Sequence, residues 1–284
     1  MTLFVLLTAL VLDRMLGHLQ SWRRFDGYMR LVARLERRFS AWPWNGPLGV
    51  MLVVAPLVFL AGIAHYFLLW LFWPLAFLWD GALLLYTLGP INLEDGIQCV
   101  MDRYLRGDVQ GLRREAQAFL GYSPAGSPGE ILGQVRDGLF VEADRRLFGA
   151  IVNFALFGVM GALLYRLAER TAIAAGHGRV DDMDFAGAAW RLFGVMDWLP
   201  ARLAVLGYAL AGNFHGAWRA MRDFFEDPWS VDIGRHARCL RLAGVRALEG
   251  AEDASIASTL ALIDRALVVF LGSVGLVTVG YWAG

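Results

Sequence analysis

The sequence contains no lysine, and all 26 of its basic residues are arginine. A Walker-type phosphate loop needs a lysine, and so do Schiff-base and pyridoxal enzymes, so these mechanisms are excluded. Cysteine is scarce as well, because the chain has two, Cys99 and Cys239. They lie far apart, without the spacing of a metal site. We interpret them as isolated thiols that form neither a disulfide nor a metal centre.

Formal charge is missing from one long stretch of the chain, since no acidic or basic residue lies between Phe39 and Trp79. The 284 residues are 57% hydrophobic, with a mean hydropathy of +0.48, whereas soluble domains are about 45–50% apolar. The apolar residues are gathered in blocks, which predicts membrane spans and not a larger soluble core. Because the net charge is zero, no nucleic-acid partner is expected.

The chain also lacks internal repeats, low-complexity tracts and long alternation of period two. The missing alternation excludes a membrane β-barrel, and the missing repeats weigh against a transporter of muropeptide-like solutes. The apolar blocks predict an all-α fold, a polytopic α-helical integral membrane protein with about five transmembrane helices and cytoplasmic helical segments. Tryptophans near the block ends are typical of membrane interfaces: Trp42, Trp44, Trp79, Trp198, Trp218 and Trp282.

We predict one membrane domain over residues 1–284, in five parts. Residues 1–46 form a short apolar helix and a basic amphipathic helix, 47–91 a transmembrane hairpin with two spans of about 20 residues each, and 92–146 a cytoplasmic helical segment broken at Arg106-Gly107-Asp108. Residues 147–218 contain the third and fourth spans with a polar connection, and 219–284 contain cytoplasmic helices and the last span. The arginine-rich segments fit the cytoplasmic side of a bacterial inner (plasma) membrane under the positive-inside rule, so the protein is predicted to be multi-pass.

The stretch "RLFGVMDWLPARLAVL" at residues 191–206 places charged residues inside an apolar block. Pro200 is suited to the first turn of a helix, and Asp197 just before it would complement the positive N-terminus of that helix. This pattern predicts that the fourth span begins at the membrane interface near Trp198, with Arg202 reaching the lipid headgroups. The alternative is that Arg202 binds an anionic group or pairs with a carboxylate inside the bundle.

Four further polar residues are candidates because they lie in or beside apolar blocks. Asn153 is predicted to form an interhelical hydrogen bond in mid-span, and Asp80 either lies at the interface or has a functional role. Arg166 is predicted to close the third span. The candidate ligand-binding set is Arg166, Asp197, Arg202, Glu142, Asp80 and Asn153, with no catalytic residue and no metal ligand assigned. The "GHG" at 176–178 is interpreted as a turn, and counting spans puts residues 166–197 in the periplasm, although their four arginines argue against it.

Several motifs along the chain match a known family pattern. "LVLDRMLGH" and "YMRLVARLERRF" resemble the N-terminal segment shared by AmpE proteins and the cobalamin-biosynthesis CobD/CbiB proteins, and "YLRGDVQGLRREAQAFLGY" resembles their cytoplasmic helical pair. "DWLPARLAVLGYALAGNFHGAW" resembles the AmpE pattern in particular. AmpE proteins are inner-membrane proteins linked to the regulation of β-lactamase induction, alongside a cytoplasmic cell-wall amidase. The resemblance implies that setting for this chain.

The enzyme branch of the same superfamily forms an amide between an aminopropanol group and cobyric acid, and its polar motifs are incomplete here. Glu142 is kept, the aspartate expected in "ERTAIAAG" is missing, and two expected aspartates fall on Phe193 and Gly194. A site that activates a carboxylate and holds nucleotide and metal needs such oxygen ligands. Their loss argues against this activity.

The leading hypothesis is therefore a non-catalytic inner-membrane regulator without a cofactor. Its expected partners are the lipid bilayer, a muropeptide-type or other anionic small ligand, and components of the cell-wall amidase pathway. The alternative is a membrane-bound amide-forming enzyme of the adenosylcobinamide-phosphate synthase (CobD/CbiB) type, which would use ATP and Mg²⁺.

Overall fold

The protein is described by a computed structural model over residues 2–15, 25–38, 45–88, 93–176, 184–249 and 255–283. Within these ranges all regular structure is helical and no strand is present, which confirms the predicted all-α class. The α-helices are α1 (Thr2–Met15), α2 (Asp26–Arg38), α3 (Pro47–Leu71), α4 (Trp73–Thr87), α5 (Leu93–Leu105), α6 (Val109–Leu120), α7 (Pro128–Ala143), α8 (Gly149–Ala175), α9 (Phe185–Ala211), α10 (Phe214–Glu226), α11 (Ile233–Ala247) and α12 (Ile256–Ala283). A π-helical turn, Asp144–Phe148, joins α7 to α8.

Three helical stretches in these ranges are long and apolar enough to cross a membrane by length and composition: Pro47–Leu71, a stretch within Pro128–Ala175 that is kinked at Gly158, and Ile256–Leu276. Large apolar side chains on α3 are exposed, with Phe59 at 73% and Trp70 at 82%. Soluble proteins rarely expose such a contiguous apolar surface, so lipid is the solvent that fits this helix. The chain is a membrane protein. Three of its described helical stretches are long and apolar enough to span, which is fewer than the five spans predicted.

The charge-free block folds as a helical hairpin with unequal arms. α3 ends at Leu71 and Phe72 is extended, and α4 then begins with Pro74 in its first turn, where the missing N–H costs nothing. α3 has 25 residues and is long enough to span. α4 has 15 residues, which is about 22 Å of helix against a hydrocarbon core of about 30 Å. The predicted hairpin is present, but the predicted length of its second arm is wrong.

The two N-terminal helices pack on this hairpin and on α8. Leu6 of α1 is fully buried, and the ring of Phe4 lies 5.5 Å from that of Phe77 on α4. α2 buries Val32, and the hydroxyl group of Tyr28 is hydrogen-bonded to Thr171 Oγ1 of α8 at 2.7 Å. The segment predicted as an amphipathic helix within residues 1–46 is helical over Asp26–Arg38.

The apolar segment 147–165, predicted as one straight span, doubles back inside α8. Gly158 has φ 66° and ψ −158°, a backbone conformation that essentially only glycine adopts. After it the chain returns along itself, because a Cβ atom on Gly149 would overlap the ring of Tyr165 and one on Gly161 would overlap the carbonyl of Asn153. α8 is thus a hairpin with a first arm, residues 149–157, and a second arm, residues 159–175.

This reversal changes the position of Arg166. The residue does not close a helix, because the second arm of α8 continues to Ala175. It lies instead at the base of the hairpin, where its Nη2 atom is 3.5 Å from the carbonyl oxygen of Arg146. The tip carries Leu156 and Phe157, which are 53% and 62% exposed. Both ends of the hairpin therefore lie on the same side, and simple counting of spans fails for the residues that follow.

The predicted start of a fourth span at "DWLPAR" is wrong. α9 begins at Phe185, where Asp184 caps it by accepting a hydrogen bond from the Gly187 amide at 2.7 Å, and it continues through Pro200. A proline inside a helix leaves the carbonyl four residues earlier without its donor. Here that carbonyl, on Met196, accepts a hydrogen bond from Asn153 Nδ2 at 3.2 Å. The amide on the first arm of α8 thus allows α9 to pass through the proline.

α9 connects two parts of the apolar core. Its first half packs with α2, α3 and the second arm of α8, and its second half packs with α7, α11 and the start of α12. It ends at Ala211, and α10 begins at Phe214 after a break at Gly212 and Asn213. The predicted span 198–218 is therefore not one helix.

The polar segments fold as helices, as predicted. α5 ends at Leu105, and Asp108 caps α6 by accepting a hydrogen bond from the Gly111 amide at 2.9 Å, so the predicted break at 106–108 is confirmed. α10 and α11 pack on α9. Some predictions concern residues outside the described ranges: the turn at His177, and the interfacial tryptophans Trp42 and Trp44.

Candidate functional site

Charged side chains, four of them buried and four partly buried, lie together at the base of the α8 hairpin. We call this set the buried cluster: Glu142, Asp144, Arg145, Arg146, Arg166, Glu169, Arg170 and Asp197. They come from the end of α7, the π-helical turn, the second arm of α8 and the middle of α9. Buried ions are costly unless they are paired, and these four carboxyl groups and four guanidinium groups balance in formal charge.

The π-helical turn contributes the first part of the buried cluster. Such turns occur often at functional sites, because they alter the direction of side chains along a helix. Asp144, the first residue of the turn, is 1% exposed. Two residues earlier, Glu142 accepts a hydrogen bond from Arg146 Nε at 2.9 Å and lies 3.6 Å from Arg145 Nη1.

Arg166 links three elements at the base of the hairpin. The residue is fully buried. Its Nε atom donates to the Thr87 carbonyl oxygen at the end of α4 at 2.6 Å, and its Nη1 atom donates to Glu169 Oε2 at 2.5 Å. A planar guanidinium group has five donors in a fixed fork, so one side chain can hold the end of α4 and two turns of helix together.

Both oxygens of the Asp197 side chain have a partner. Its Oδ1 atom accepts a hydrogen bond from the Tyr165 hydroxyl at 3.0 Å, and its Oδ2 atom lies 2.9 Å from Nδ1 of His236 on α11. The other ring nitrogen of His236, Nε2, lies 3.1 Å from the Ser230 carbonyl oxygen. A carbonyl only accepts, so we assign a hydrogen to Nε2. Nδ1 and a carboxylate oxygen would then both be acceptors, so their contact requires one further hydrogen, carried by the ring or by the carboxyl group. The Asp197–His236 pair is therefore placed to hold or pass on a proton.

Two buried polar atoms in the cluster have no hydrogen-bond partner within the described ranges, Asp144 Oδ1 and Arg170 Nε. Asp144 lies close enough to Asp197 to feel its negative charge, and its Oδ1 atom is available to a ligand. Unsatisfied buried groups are rare in folded proteins. The side chains of Arg145 and Arg170 are 25% and 20% exposed, so the arginine side of the cluster is the part that a ligand can reach.

The structure brings together three of the six predicted site residues, Arg166, Asp197 and Glu142. A fourth, Asn153, lies beside them and donates to Gly149 O at 2.8 Å and to Met196 O on α9, which is the predicted interhelical bond. Asp80 lies apart, between α3 and α4, where its Oδ1 atom is 2.7 Å from His65 Nδ1. A ligand-binding role for these residues stays a prediction.

The structure places Arg202 apart from Arg166 and Asp197, the other arginine and an aspartate of the candidate set. Its Nη1 and Nη2 atoms each donate at 2.7 Å, to the carbonyl oxygens of Trp198 and Pro228. The guanidinium carbon lies 4.2 Å from the ring centroid of Trp198 and 4.6 Å from that of Phe224. Arg202 thus fixes the loop between α10 and α11. Its contacts are with backbone carbonyls and aromatic rings, and not with a carboxylate inside the bundle as the alternative prediction had it.

Sequence reasoning missed Asp144, Tyr165, Glu169 and His236. Glu169 stands three residues after Arg166 on one helix face, and Asp144 stands in "EADRR" beside Glu142, so spacing could have indicated both. Tyr165 and His236 meet Asp197 from distant parts of the chain, and no local pattern indicates such contacts. Within the described ranges, no three His, Cys, Asp or Glu side chains converge as a ready-made metal site.

Comparison with known proteins relates the chain to cobalamin biosynthesis. The sequence model of the family described as CobD/Cbib protein matches residues 6–243. A cobalamin biosynthesis protein CobD from Chromobacterium violaceum is 29% identical over 241 residues, which is 80% of this chain and 74% of that protein. Another from Stutzerimonas stutzeri is 27% identical over 229 residues, 78% of this chain and 74% of that protein. No solved structure matches the chain.

These findings overturn the prediction of a non-catalytic regulator of β-lactamase induction and favour its alternative, because the matching family and both relatives are named for CobD. The resemblance to AmpE gains no support from them, and the muropeptide-type ligand and the amidase pathway stay predictions. The error has a physical reason. Sequence reasoning counted the carboxylates missing at Phe193 and Gly194, and it did not foresee that Asp144, Glu169 and Asp197 converge in the fold.

Proposed function

The chain belongs to the CobD/CbiB protein family, and from this we propose that it is a membrane-bound amide-forming enzyme of the adenosylcobinamide-phosphate synthase type. Such an enzyme joins an aminopropanol group to the carboxyl group of cobyric acid. The observation that carries the proposal is the buried cluster, which lies inside the matched residues 6–243 and offers paired carboxylates beside partly exposed arginines. Asp144, Arg145 and Asp197 of this cluster would carry the reaction.

Amide formation requires an amine that has lost a proton and a carboxyl group that has been activated. Asp197, held by Tyr165 and His236, is the group we assign to accept the proton of the amine, at its carboxylate oxygens. General-base catalysis of this kind contributes roughly 10²–10⁴-fold to a rate. Arg145, on the accessible side, would hold an anionic group of the substrates by charge-assisted hydrogen bonds.

ATP and Mg²⁺ fit the donor set of the buried cluster. Mg²⁺ is usually bound by one or two carboxylates together with water and phosphate oxygens, and Asp144 offers a buried oxygen without a partner in the described ranges beside Asp197. Arginine is the only basic residue that this chain has for phosphate groups. ATP would supply the free energy for activating the carboxyl group. Asp144 would hold the metal ion, and Arg145 the phosphates.

We place the enzyme in the bacterial inner membrane with its arginine-rich helices in the cytoplasm. The positive-inside rule supports this orientation, as does the α8 hairpin, which returns to the side from which it came. The buried cluster would then face the cytoplasm, where ATP is present.

The first test is complementation of a bacterial strain that lacks the family enzyme. The wild-type chain should restore growth that depends on cobalamin synthesis. Asp197→Asn and Asp144→Asn should each lower amide formation by about 10²-fold or more, measured by mass spectrometry of the product made by membranes supplied with both substrates, ATP and Mg²⁺. Asp102→Asn is the control, because Asp102 is exposed on α5 and pairs with Arg106; it should behave as wild type.

Two outcomes would contradict the proposal. One is a wild-type chain that reaches the membrane at normal levels and yet neither restores growth nor forms product. The other is product formation by Asp197→Asn at the wild-type rate. Thermal unfolding of each variant in detergent separates a lost activity from a lost fold.

A further inference from the structure

An apolar cavity of about 420 Å³ lies outside the buried cluster, between α2, α3, α4 and the second arm of α8. Along α4 its lining runs from Tyr86 to Trp79, about 10 Å of helix. Near Tyr86 the wall is completed by Phe25, whose ring centroid is 4.7 Å from that of Tyr86. Water occupies cavities that offer two to four polar partners, and this lining is almost entirely hydrocarbon and aromatic. An apolar occupant suits it better.

The cavity opens toward the bilayer. Its wall on α3 includes Leu57 and Leu60, which are 37% and 64% exposed, and α3 is one of the helices long and apolar enough to span. At the other end lies α2, a basic amphipathic helix whose Leu31 lines the cavity while Arg34 is exposed. Such helices lie at the level of the lipid headgroups. The cavity therefore runs from the headgroup level into the hydrocarbon.

The side chain of Arg170 lies at the end of the cavity that is level with the lipid headgroups. The guanidinium carbon of Arg170 lies 5.7 Å from the ring centroid of Phe25, and its Nε atom is buried without a hydrogen-bond partner in the described ranges. The nearest acid, Glu169, is 3.7 Å from that atom but already accepts a hydrogen bond from Arg166. Glu169 thus faces two guanidinium groups, and the buried Nε–H of Arg170 is left to donate to an anionic oxygen.

We infer that this cavity binds one anionic phospholipid of the bilayer, with an acyl chain between α2, α3 and α4 and the phosphate group against Arg170. The lipid completes the packing of α2, which is fixed to α8 by the Tyr28–Thr171 hydrogen bond. It also satisfies a donor at the edge of the buried cluster. This site is separate from the proposed reaction, and its occupancy can be measured without any activity.

The test uses the full chain reconstituted in vesicles of equimolar phosphatidylglycerol and phosphatidylcholine, extracted into detergent and examined by native mass spectrometry. Wild-type protein should retain one phospholipid, enriched about fivefold in phosphatidylglycerol, the effect of roughly one arginine contact near a membrane surface. Ala64→Phe places a ring in the cavity and should lower lipid retention about tenfold. Ala55→Phe adds the same ring to the exposed outer face of α3 and should retain lipid as wild type does.

Arg170→Gln tests the role of the positive charge. It should remove the fivefold preference for phosphatidylglycerol, while one lipid of either kind is still retained. Arg34→Gln is its control, since Arg34 is a surface cation of α2, and the preference should persist. The inference is overturned if wild-type protein retains no lipid, if Ala64→Phe and Ala55→Phe retain it equally, or if Arg170→Gln keeps the preference. The wild-type and Arg170→Gln results decide the matter even where Ala64→Phe fails to fold. None of these outcomes bears on amide formation.

Discussion

Arg166 illustrates how a fully buried charge is kept in this protein. Its guanidinium group contacts a carbonyl at the end of α4 and the carboxylate of Glu169. If one partner is removed, the other charge stays buried and unpaired. The stability lost is therefore larger than the stability that the intact pair contributes. The same reasoning does not extend to exposed pairs, whose partners return to water.

We therefore expect a large loss of stability when Arg166 is replaced by an uncharged residue of similar length. We expect Arg166→Met to lower the free energy of unfolding by about 3–5 kcal/mol, measured by reversible denaturation in detergent. In a Glu169→Gln background the same change should cost at least about 1 kcal/mol less, because no unpaired carboxylate remains. Arg106→Met is the matched control, since Arg106 and Asp102 are 70% and 66% exposed, and its cost should stay below about 1 kcal/mol. Equal costs for the two arginines would refute the argument.

Pro200 leaves the Met196 carbonyl without its helical donor, and Asn153 supplies the replacement. Asn153→Leu should lower the free energy of unfolding by about 1–3 kcal/mol, because the buried Met196 carbonyl loses its hydrogen bond. In a Pro200→Ala background the alanine amide can donate to that carbonyl, so Asn153→Leu should then cost clearly less. Denaturation of the two single variants and the double variant measures the difference. The same cost in both backgrounds would show that Asn153 acts through its volume and not through this hydrogen bond.

The α8 hairpin depends on one backbone conformation at Gly158. A side chain at its φ and ψ is strained, so Gly158→Ala should lower the free energy of unfolding by about 1–3 kcal/mol. Gly133→Ala is the control, because a Cβ atom there meets nothing within 4 Å and the residue lies inside α7. It should be neutral or stabilising by up to about 1 kcal/mol. A Gly158→Ala variant as stable as wild type would mean that the chain does not reverse there.

The same hairpin explains where prediction from the sequence stops. The charge-free run before Asp80 was sufficient to predict α3, and Gly107 with Asp108 was sufficient to predict the break before α6, because both signals are local. A straight span and a hairpin of two short arms have the same composition over 147–165. What distinguishes them is the contact of Tyr165 with Gly149, which depends on tertiary packing. A local rule also misplaced the start of α9, because it took no account of Asn153.

The candidate site was predictable only in part for a related reason. Arg166, Asp197 and Glu142 were recognisable as charges in or beside apolar blocks, where each is expensive. His236 is an ordinary residue of a polar helix in the sequence, and its role arises because α11 packs against α9. Carboxylates missing from one place in a motif can be replaced in space by others from distant positions. The missing aspartates were therefore a weaker argument against an enzyme than they appeared from the sequence.

For the whole molecule, the α8 hairpin decides on which side of the membrane the later helices begin. A single straight crossing at 147–165 would put the start of α9 on the opposite side from α7. A hairpin returns it to the same side, which removes the conflict between the four arginines of residues 166–197 and the positive-inside rule. The buried cluster, built from α7, α8 and α9, then has one aqueous side instead of lying between two.

Cysteine labelling measures this arrangement directly. In a Cys99→Ser background, which removes the exposed native thiol, we expect Ser123→Cys before α7 and Ile173→Cys near the end of α8 to react with a membrane-impermeant maleimide in inverted vesicles and not in spheroplasts. Phe72→Cys, at the tip between α3 and α4 and 57% exposed, should show the opposite pattern and serves as the control for sidedness. Labelling of Ile173→Cys together with Phe72→Cys would mean that α8 crosses the membrane. Because Arg166 and Glu169 lie on the arm that ends near Ile173, the same result would also separate them from a cytoplasmic supply of ATP.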